Sequence, residues 1–195
     1  MSFKVLDNSI DIKKVARLVH EGEIVVMSTD TVYGVVASAL RSDAVERVYS
    51  LRERNMHKPC IVLIASIEAI KLFGVVVDVE SEKKIHEIWP AAVSIVLSCP
   101  DERFSYLHRG TQTIAFRVPE EKALRDFLEE SGPVIAPSAN PEGKSTAKTT
   151  AEARDYFGGK ISLYIDGGMQ DGEPSTLISI NRGEISVLRQ GRVKV

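Results

Sequence analysis

Cysteine is scarce in this chain: Cys60 and Cys99 are the only two, far apart and each in apolar surroundings. That argues against a disulfide framework and for buried thiols in a reducing compartment. No Cys-x-x-Cys and no paired histidine spacing occurs, so the usual ligand pattern of a structural zinc is missing. Gly-x-Ser-x-Gly and His-Glu-x-x-His are absent as well. The four histidines, His20, His57, His86 and His108, lie in polar or helical contexts and read as surface residues rather than bases or ligands. Positive charge is not in excess. A formal net charge of −2 gives no bulk pull toward nucleic acid or an anionic membrane, so any polyanion site must be a local cluster of Lys and Arg. No apolar run is long enough to span a bilayer. The opening Met1-Ser2-Phe3-Lys4-Val5 lacks the apolar region of a signal peptide, and a cytoplasmic protein is expected. Internal repeats, low-complexity tracts and linkers are also lacking.

What is present is ordinary soluble composition, 44% hydrophobic and 27% charged, over 195 residues. That length allows one substantial core, and a single domain over 1–195 is expected. Asp7-Asn8-Ser9 offers helix caps before Ile12, Val15, Ala16 and Val19 at helical spacing, and Gly22 stops that helix. Further helices are expected from the caps Ser42, Ser66 and Thr150, over 81–88, and around Ala123, Leu124, Phe127 and Leu128. Short apolar, β-branched runs predict strands at 24–27, 35–37, 60–65, 93–97, 113–118, 163–165, 177–180 and 185–188. The segment 75–79 is apolar enough for another. Trp89 reads as a core anchor. Helices and strands mix, and several connections look antiparallel, so the expected class is α/β with a mixed sheet rather than a doubly wound one.

The stretch 134–146 carries most of the chemistry. Val134, Ile135 and Ala136 read as the end of a buried strand, and Pro137, Pro141 and Gly143 turn the chain out into a loop. Ser138, Asn140, Lys144, Ser145 and Thr146 follow, and such donors suit phosphate or carboxylate oxygens. Gly143-Lys144-Ser145 looks like the tail of a P-loop, but Ser138 stands where that motif needs its first glycine. A second hydroxyl patch, Ser28-Thr29-Asp30-Thr31-Val32-Tyr33-Gly34, follows the strand at 24–27. Arg52, Arg54 and Lys58 concentrate charge at the end of a predicted helix. In the strand at 113–118, alternation places Thr113, Ala115 and Arg117 on one face, where Arg117 needs either a carboxylate or a ligand anion. No nucleophile is set up. Together with Ser175 and Arg189, this set suits holding anions and neutralising charge, as in nucleotidyl or acyl-phosphate chemistry.

Six segments, in order, resemble the YrdC-like family of threonylcarbamoyl-AMP synthases. Residues 28–34 resemble that family's Pro-Thr-Glu-Thr-Val-Tyr-Gly, and Trp89-Pro90-Ala91-Ala92-Val93-Ser94 its Trp-Pro-Gly-Pro-Leu-Thr. Thr113 to Pro119 is similar to Thr-Val-Ala-Val-Arg-x-Pro, and Pro137-Ser138-Ala139-Asn140 to its Ser-x-Asn motif. Gly172-Glu173-Pro174-Ser175-Thr176 and Leu188-Arg189-Gln190-Gly191 complete the series. The family's Lys-x-Arg-Pro is replaced here by Arg52-Glu53-Arg54-Asn55, Ser28 replaces a proline, and Pro174 stands where many members have Glu.

The resemblance implies a twisted open mixed sheet flanked by helices, with a concave basic ligand surface. It implies condensation of L-threonine, bicarbonate and ATP to threonylcarbamoyl-AMP and pyrophosphate, for threonylcarbamoyladenosine in tRNA. ATP would be a substrate accompanied by Mg2+, with no permanently bound cofactor. Thr31, Arg117, Ala136 and Ser175 would hold threonine, with Arg117 on its carboxylate. Arg54, Lys58, Thr113, Ser138, Thr146 and Arg189 would hold ATP. Arg52, Arg54, Ser138 and Asn140 form the expected catalytic set, Asn140 orienting a phosphate or a metal-bound water. Implied partners are downstream threonylcarbamoyl-transferase proteins and a tRNA contact, without a membrane. The chain resembles the short, single-domain form, without the extra C-terminal domain of longer members. Three other readings stay open: a non-catalytic module for tRNA or double-stranded RNA, a carbamoyl-transfer domain like that of hydrogenase maturation, and a structural protein.

Overall fold

The computed structural model describes residues 11–195, so the caps expected at Asp7, Asn8 and Ser9 lie outside the described residues. Helix α1 (Ile12–His20) is instead capped by Asp11, whose carboxylate accepts from the Lys13 amide at 3.0 Å. Then come β1 (Val25–Ser28), β2 (Tyr33–Ser38), α2 (Ser42–Leu51), β3 (Ile61–Leu63), α3 (Val79–Ile88) and β4 (Val93–Ser98). The chain continues through α4 (Ser105–His108), β5 (Thr113–Arg117), α5 (Lys122–Ser131), β6 (Val134–Ile135), α6 (Thr150–Phe157), β7 (Leu163–Tyr164), β8 (Thr176–Asn181) and β9 (Glu184–Arg189). The expected helix after Ser66 is a 3-10 helix, Ile67–Phe73, ended by Gly74 in the left-handed region at φ 68°. No strand forms at 75–79. Asp78 accepts from the Ser81 amide and starts α3 at Val79, leaving Val76 90% exposed with no strand beside it. Ser42 and Thr150 are first helical residues rather than caps; Thr149 caps α6 through the Glu152 amide.

Among the described residues, nine strands form one mixed sheet in the order β7-β1-β2-β6-β3-β5-β4-β8-β9. Of the pairs, β1–β7, β3–β5 and β4–β8 are parallel and the rest antiparallel. Side chains alternate across the sheet, so each strand feeds two layers. On one face Val26, Val35, Val62, Ile95, Ile114, Phe116 and Ile178 pack with residues of α2, α3, α4 and α6. On the other face Val25, Met27, Val36, Leu63 and Val134 pack with Val15 and Val19 of α1 and with Leu124, Phe127 and Leu128 of α5.

That second layer is incomplete. Helices α1 and α5 cover the β1, β2, β6 end, and no described helix continues over β5, β4 and β8. Thr113, Ala115, Val96 and Leu177 on this face are only half-buried, whereas Ile114, Phe116, Ile95 and Ile178 on the opposite face are fully buried. This uncovered stretch of sheet is where the expected site residues gather.

His108 departs from the surface placement expected for the histidines. It is 1% exposed and its Nδ1 accepts from the Gly110 amide at 3.1 Å, because α4 ends on a left-handed Arg109 that turns the chain back into the core. Cys60 and Cys99 are free and buried, as expected. Trp89 is buried, with its indole N–H donating to the Val93 carbonyl at 2.7 Å, and the Trp89–Pro90 peptide is cis. Among the described residues, no helix is long and apolar enough to cross a membrane.

Phe73 lies at the centre of the larger core layer, with ring centroids 5.0 Å from Phe104 and 5.1 Å from Phe116. Phe73→Ala is expected to cost about 3–5 kcal/mol in urea unfolding, while Val76→Ser changes stability by no more than about 0.5 kcal/mol.

Candidate functional site

A cavity of about 600 Å³ lies on the uncovered sheet face. Its floor is Thr113, Ala115 and Arg117 of β5, with Ile61 and Leu63 of β3, Val96 of β4 and Leu177 of β8. The parallel register sets Ile61 beside Ala115 and Leu63 beside Arg117. Residues 58–60 therefore flank the Thr113 end, and Arg117 marks the other, roughly 13 Å away for four residues of strand. The expected strand-end loops form the walls, but the floor is the sheet surface itself.

Arg52, Arg54, Lys58, Arg117 and Arg189 line the cavity, and the described lining holds no carboxylate. Thr31, Ala136, Ser138, Thr146 and Ser175 join them. The structure thus gathers every expected site residue except Asn140. Asn140 is 6% exposed, and its amide donates to the carbonyls of Pro141 and Lys144 at 2.8 and 2.9 Å. Its side chain folds the loop on itself instead of facing the cavity.

Arg117 finds the carboxylate that the sequence called for, and it also lines the cavity. Its Nη2 donates to Oδ1 of Asp30 at 2.8 Å, and both side chains are 5% exposed. Burial pushes the guanidinium below its ordinary value, and the Asp30 carboxylate pulls it back up. Nε of Arg117 and Oδ2 of Asp30 are buried without a hydrogen-bond partner among the described residues, and a single bond joins the pair. Asp30 sits in a tight turn. Thr29 Oγ1 donates to the Val32 carbonyl at 2.8 Å and receives the Thr31 amide at 3.2 Å and the Val32 amide at 3.3 Å. The Arg192 guanidinium also donates to the Asp30 carbonyl at 2.6 Å.

Arg52 joins helix α2 to the Ser138 loop. Its Nε donates to the Asn140 carbonyl at 2.9 Å and its Nη2 to Ser138 Oγ at 3.3 Å. Burial lowers its pKa to about 10, which leaves it charged at neutral pH. Its planar fork makes both bonds at once. Arg54 donates to the carbonyls of Lys58 and Pro59 at 3.2 and 2.9 Å, fixing its own loop. Lys58 pairs with Glu142 at 2.6 Å in a much more exposed setting.

The far wall depends on close backbone approach. A Cβ at Gly172 would overlap the Thr31 carbonyl oxygen, and one at Gly191 would overlap the carbonyls of Pro174 and Ser175. Ser175 Oγ lies 2.9 Å from Ser94 Oγ, and the Ser175 carbonyl accepts from Arg189 at 2.8 Å. Tyr33, next to this hydroxyl patch, packs in the larger core: its hydroxyl donates to the Gly168 carbonyl at 2.7 Å and accepts from the Gly167 amide at 2.9 Å.

Sequence reasoning missed Asp30, Glu142 and the lining residues His57 and Cys60. Asp30 had a signal, since Arg117 required a carboxylate and Asp30 lies in a hydroxyl patch already singled out. Glu142 had none, because its partner Lys58 is 84 residues away.

Comparison with known proteins follows the same outline. Residues 17–191 match the family model of Sua5, YciO and YrdC proteins, described as "Telomere recombination". The chain belongs to this family. It is 32% identical over 189 residues to the threonylcarbamoyl-AMP synthase of Bacillus subtilis (strain 168), covering 95% of this chain and 55% of that protein. It is 30% identical to the threonylcarbamoyl-AMP synthase of Marinobacter nauticus, covering 84% of this chain and 87% of that protein. The crystal structure of Pyrococcus abyssi Sua5 complexed with L-threonine superimposes with a TM-score of 0.83 at 32% identity, covering 92% of this chain and 54% of that one. The chain thus spans about half the length of the Bacillus and Pyrococcus relatives and most of the Marinobacter one.

Asp30→Ala leaves a buried guanidinium without its counter-charge and is expected to cost about 3–5 kcal/mol in urea unfolding. Burial pushes the Tyr33 phenol up to about 12, from an ordinary value of 10.0. Between those values the folded state binds more proton than the unfolded state, so this contribution is complete below the lower value and lost on approaching the upper. The stability difference between the protein and Tyr33→Phe is therefore expected to hold steady below pH ~10 and to shrink as pH rises toward ~12, as read by urea unfolding across that range.

Proposed function

We propose that this chain is an L-threonylcarbamoyladenylate synthase, a nucleotidyltransferase that condenses L-threonine, bicarbonate and ATP. The observation that carries this reading is the cavity: a buried arginine at one end, further cations along it, and no carboxylate in its described lining. The match to relatives named for this activity, and the threonine complex of the Pyrococcus protein, support it.

At the Arg117 end, the guanidinium takes the threonine carboxylate, with Thr31, Ala136 and Ser175 around the amino acid. Arg54, Lys58, Thr113, Ser138, Thr146 and Arg189 take the nucleotide, and Arg52 holds the Ser138 loop against it. The threonine nitrogen bonds the bicarbonate carbon with loss of water. A carbamate oxygen then bonds the α-phosphorus, the bond from that phosphorus to the bridging oxygen breaks, and pyrophosphate leaves. Both reacting groups are anions, so holding them together and screening their repulsion are the main tasks of the protein. The side chains present suit that role, since they supply cations and hydroxyls rather than a nucleophile. Mg2+ is expected to enter with the nucleotide, bound mainly through its phosphates. The product carries an activated threonylcarbamoyl group for a transferase acting on tRNA.

Pyrophosphate release from ATP and bicarbonate is expected to require L-threonine and to prefer it to serine. Arg117→Ala is expected to reduce release at least ~100-fold, mainly through the threonine KM, and Ser138→Ala to act through the ATP KM. Release without any amino acid, or release unaffected by Arg117→Ala, overturns the reading. ATP binding without release favours a non-catalytic RNA-binding relative.

A further inference from the structure

Two carboxylates reach the cavity's cations from outside its lining. Asp30 holds Arg117 in a pair sealed from water. Glu142 holds Lys58, with side chains 28% and 60% exposed. Burial makes the first pair permanent, since breaking it strands a charge in the interior, whereas the second exchanges readily with water or another anion.

Glu142 makes two side-chain contacts on the 52–58 segment. Oε1 accepts from Lys58 Nζ at 2.6 Å, and Oε2 accepts from the Asn55 backbone amide. Its own amide donates to the Arg52 carbonyl at 2.7 Å, which ties the 141–148 loop to the end of α2. The Lys58 backbone does not depend on Glu142, because its carbonyl accepts from Tyr49 Oη at 2.8 Å and from Arg54 Nε at 3.2 Å. If the carboxylate moved away, it would free one ammonium and one backbone N–H on a segment that stays in place. Those are the donors a phosphate oxygen uses. The residues after Glu142, namely Gly143, Lys144 and Ser145, are exposed, and a Cβ at Gly143 would meet nothing within 4 Å.

Resting on the reading of the cavity as an ATP site, we propose that Glu142 is a positioning residue that stands in for the nucleotide phosphates. Its carboxylate keeps Lys58 and the Asn55 amide oriented, and the polyphosphate displaces it on binding. Glu142 thus sets nucleotide affinity through competition for Lys58 and leaves the threonine end untouched.

Calorimetric titration of inorganic pyrophosphate, and separately of L-threonine, tests this in the full chain, Glu142→Gln, Lys58→Ala and the double variant. Glu142→Gln keeps an acceptor for the Asn55 amide and removes the competing charge. It is expected to bind pyrophosphate about 2- to 5-fold more tightly than the unsubstituted chain, with threonine affinity unchanged and the gain shrinking at high salt. In the Lys58→Ala background the gain disappears. Glu142→Asp, which keeps the charge on a shorter arm, falls between. Pyrophosphate affinity equal to or weaker than that of the unsubstituted chain in Glu142→Gln overturns the proposal, and so does a gain that survives without Lys58. If the gain appears but threonine-dependent pyrophosphate release does not, the synthase reading falls and the role of Glu142 stands. If neither the unsubstituted chain nor Glu142→Gln binds pyrophosphate, the proposal falls, and threonine-dependent release alone decides the synthase reading.

Discussion

Five cations share one cavity, and the charge that balances them comes from outside its described lining. Like charges brought together on a sheet surface repel unless counter-charge or a ligand lies close. The fold supplies counter-charge at two places. Asp30 neutralises Arg117 from below, deep in the interior, and Glu142 neutralises Lys58 at the rim. Arg52 is held without a carboxylate: carbonyl and hydroxyl oxygens of the Ser138 loop take its Nε and Nη2, while its buried Nη1 has no partner among the described residues. The rest of the net positive field is left for a ligand. These cations line a cavity on a chain whose overall charge is −2.

The cavity exists because one layer of helices stops short. Helices α1 and α5 complete the second core only over β1, β2 and β6, so β5, β4 and β8 show a half-buried face. Alternation along β5 then separates two jobs within one strand. Ile114 and Phe116 anchor the closed core, while Thr113, Ala115 and Arg117 floor the open side. The floor is therefore as rigid as the core beneath it. That suits chemistry in which orientation is the main contribution of the protein.

The walls are less regular and rely on backbone approach. Gly172 lies against Thr31 and Gly191 against Ser175, so segments far apart in the chain meet with no room for a side chain. This explains why the hydroxyl motifs carry glycines beside them. Asn140 is part of the same economy of space: packed inside its loop, it ties the Pro141 and Lys144 carbonyls together, with its Oδ1 3.5 Å from Thr146 Oγ1 and Arg52 Nη2.

Much of this architecture is legible in the sequence. Periods of two and of 3.6 residues predict nearly all the elements, because side-chain alternation and helical stripes are local properties. They also put Thr113, Ala115 and Arg117 on one face and show that Arg117 needs a partner. The failures have a common cause. The apolar run at 75–79 looks like a strand, but a strand needs a neighbour, and the Asp78 cap decided for helix instead. His108 looks polar and exposed, yet the turn at Arg109 carries it inside. The sequence by itself determined the elements, the hydroxyl and arginine motifs, their order and the demand of Arg117 for a negative charge. Only the tertiary structure decided that Asp30 meets that demand, that Asn140 turns inward and that Glu142 reaches Lys58. Those choices depend on strand order and loop closure between residues scores of positions apart, and no local pattern records them.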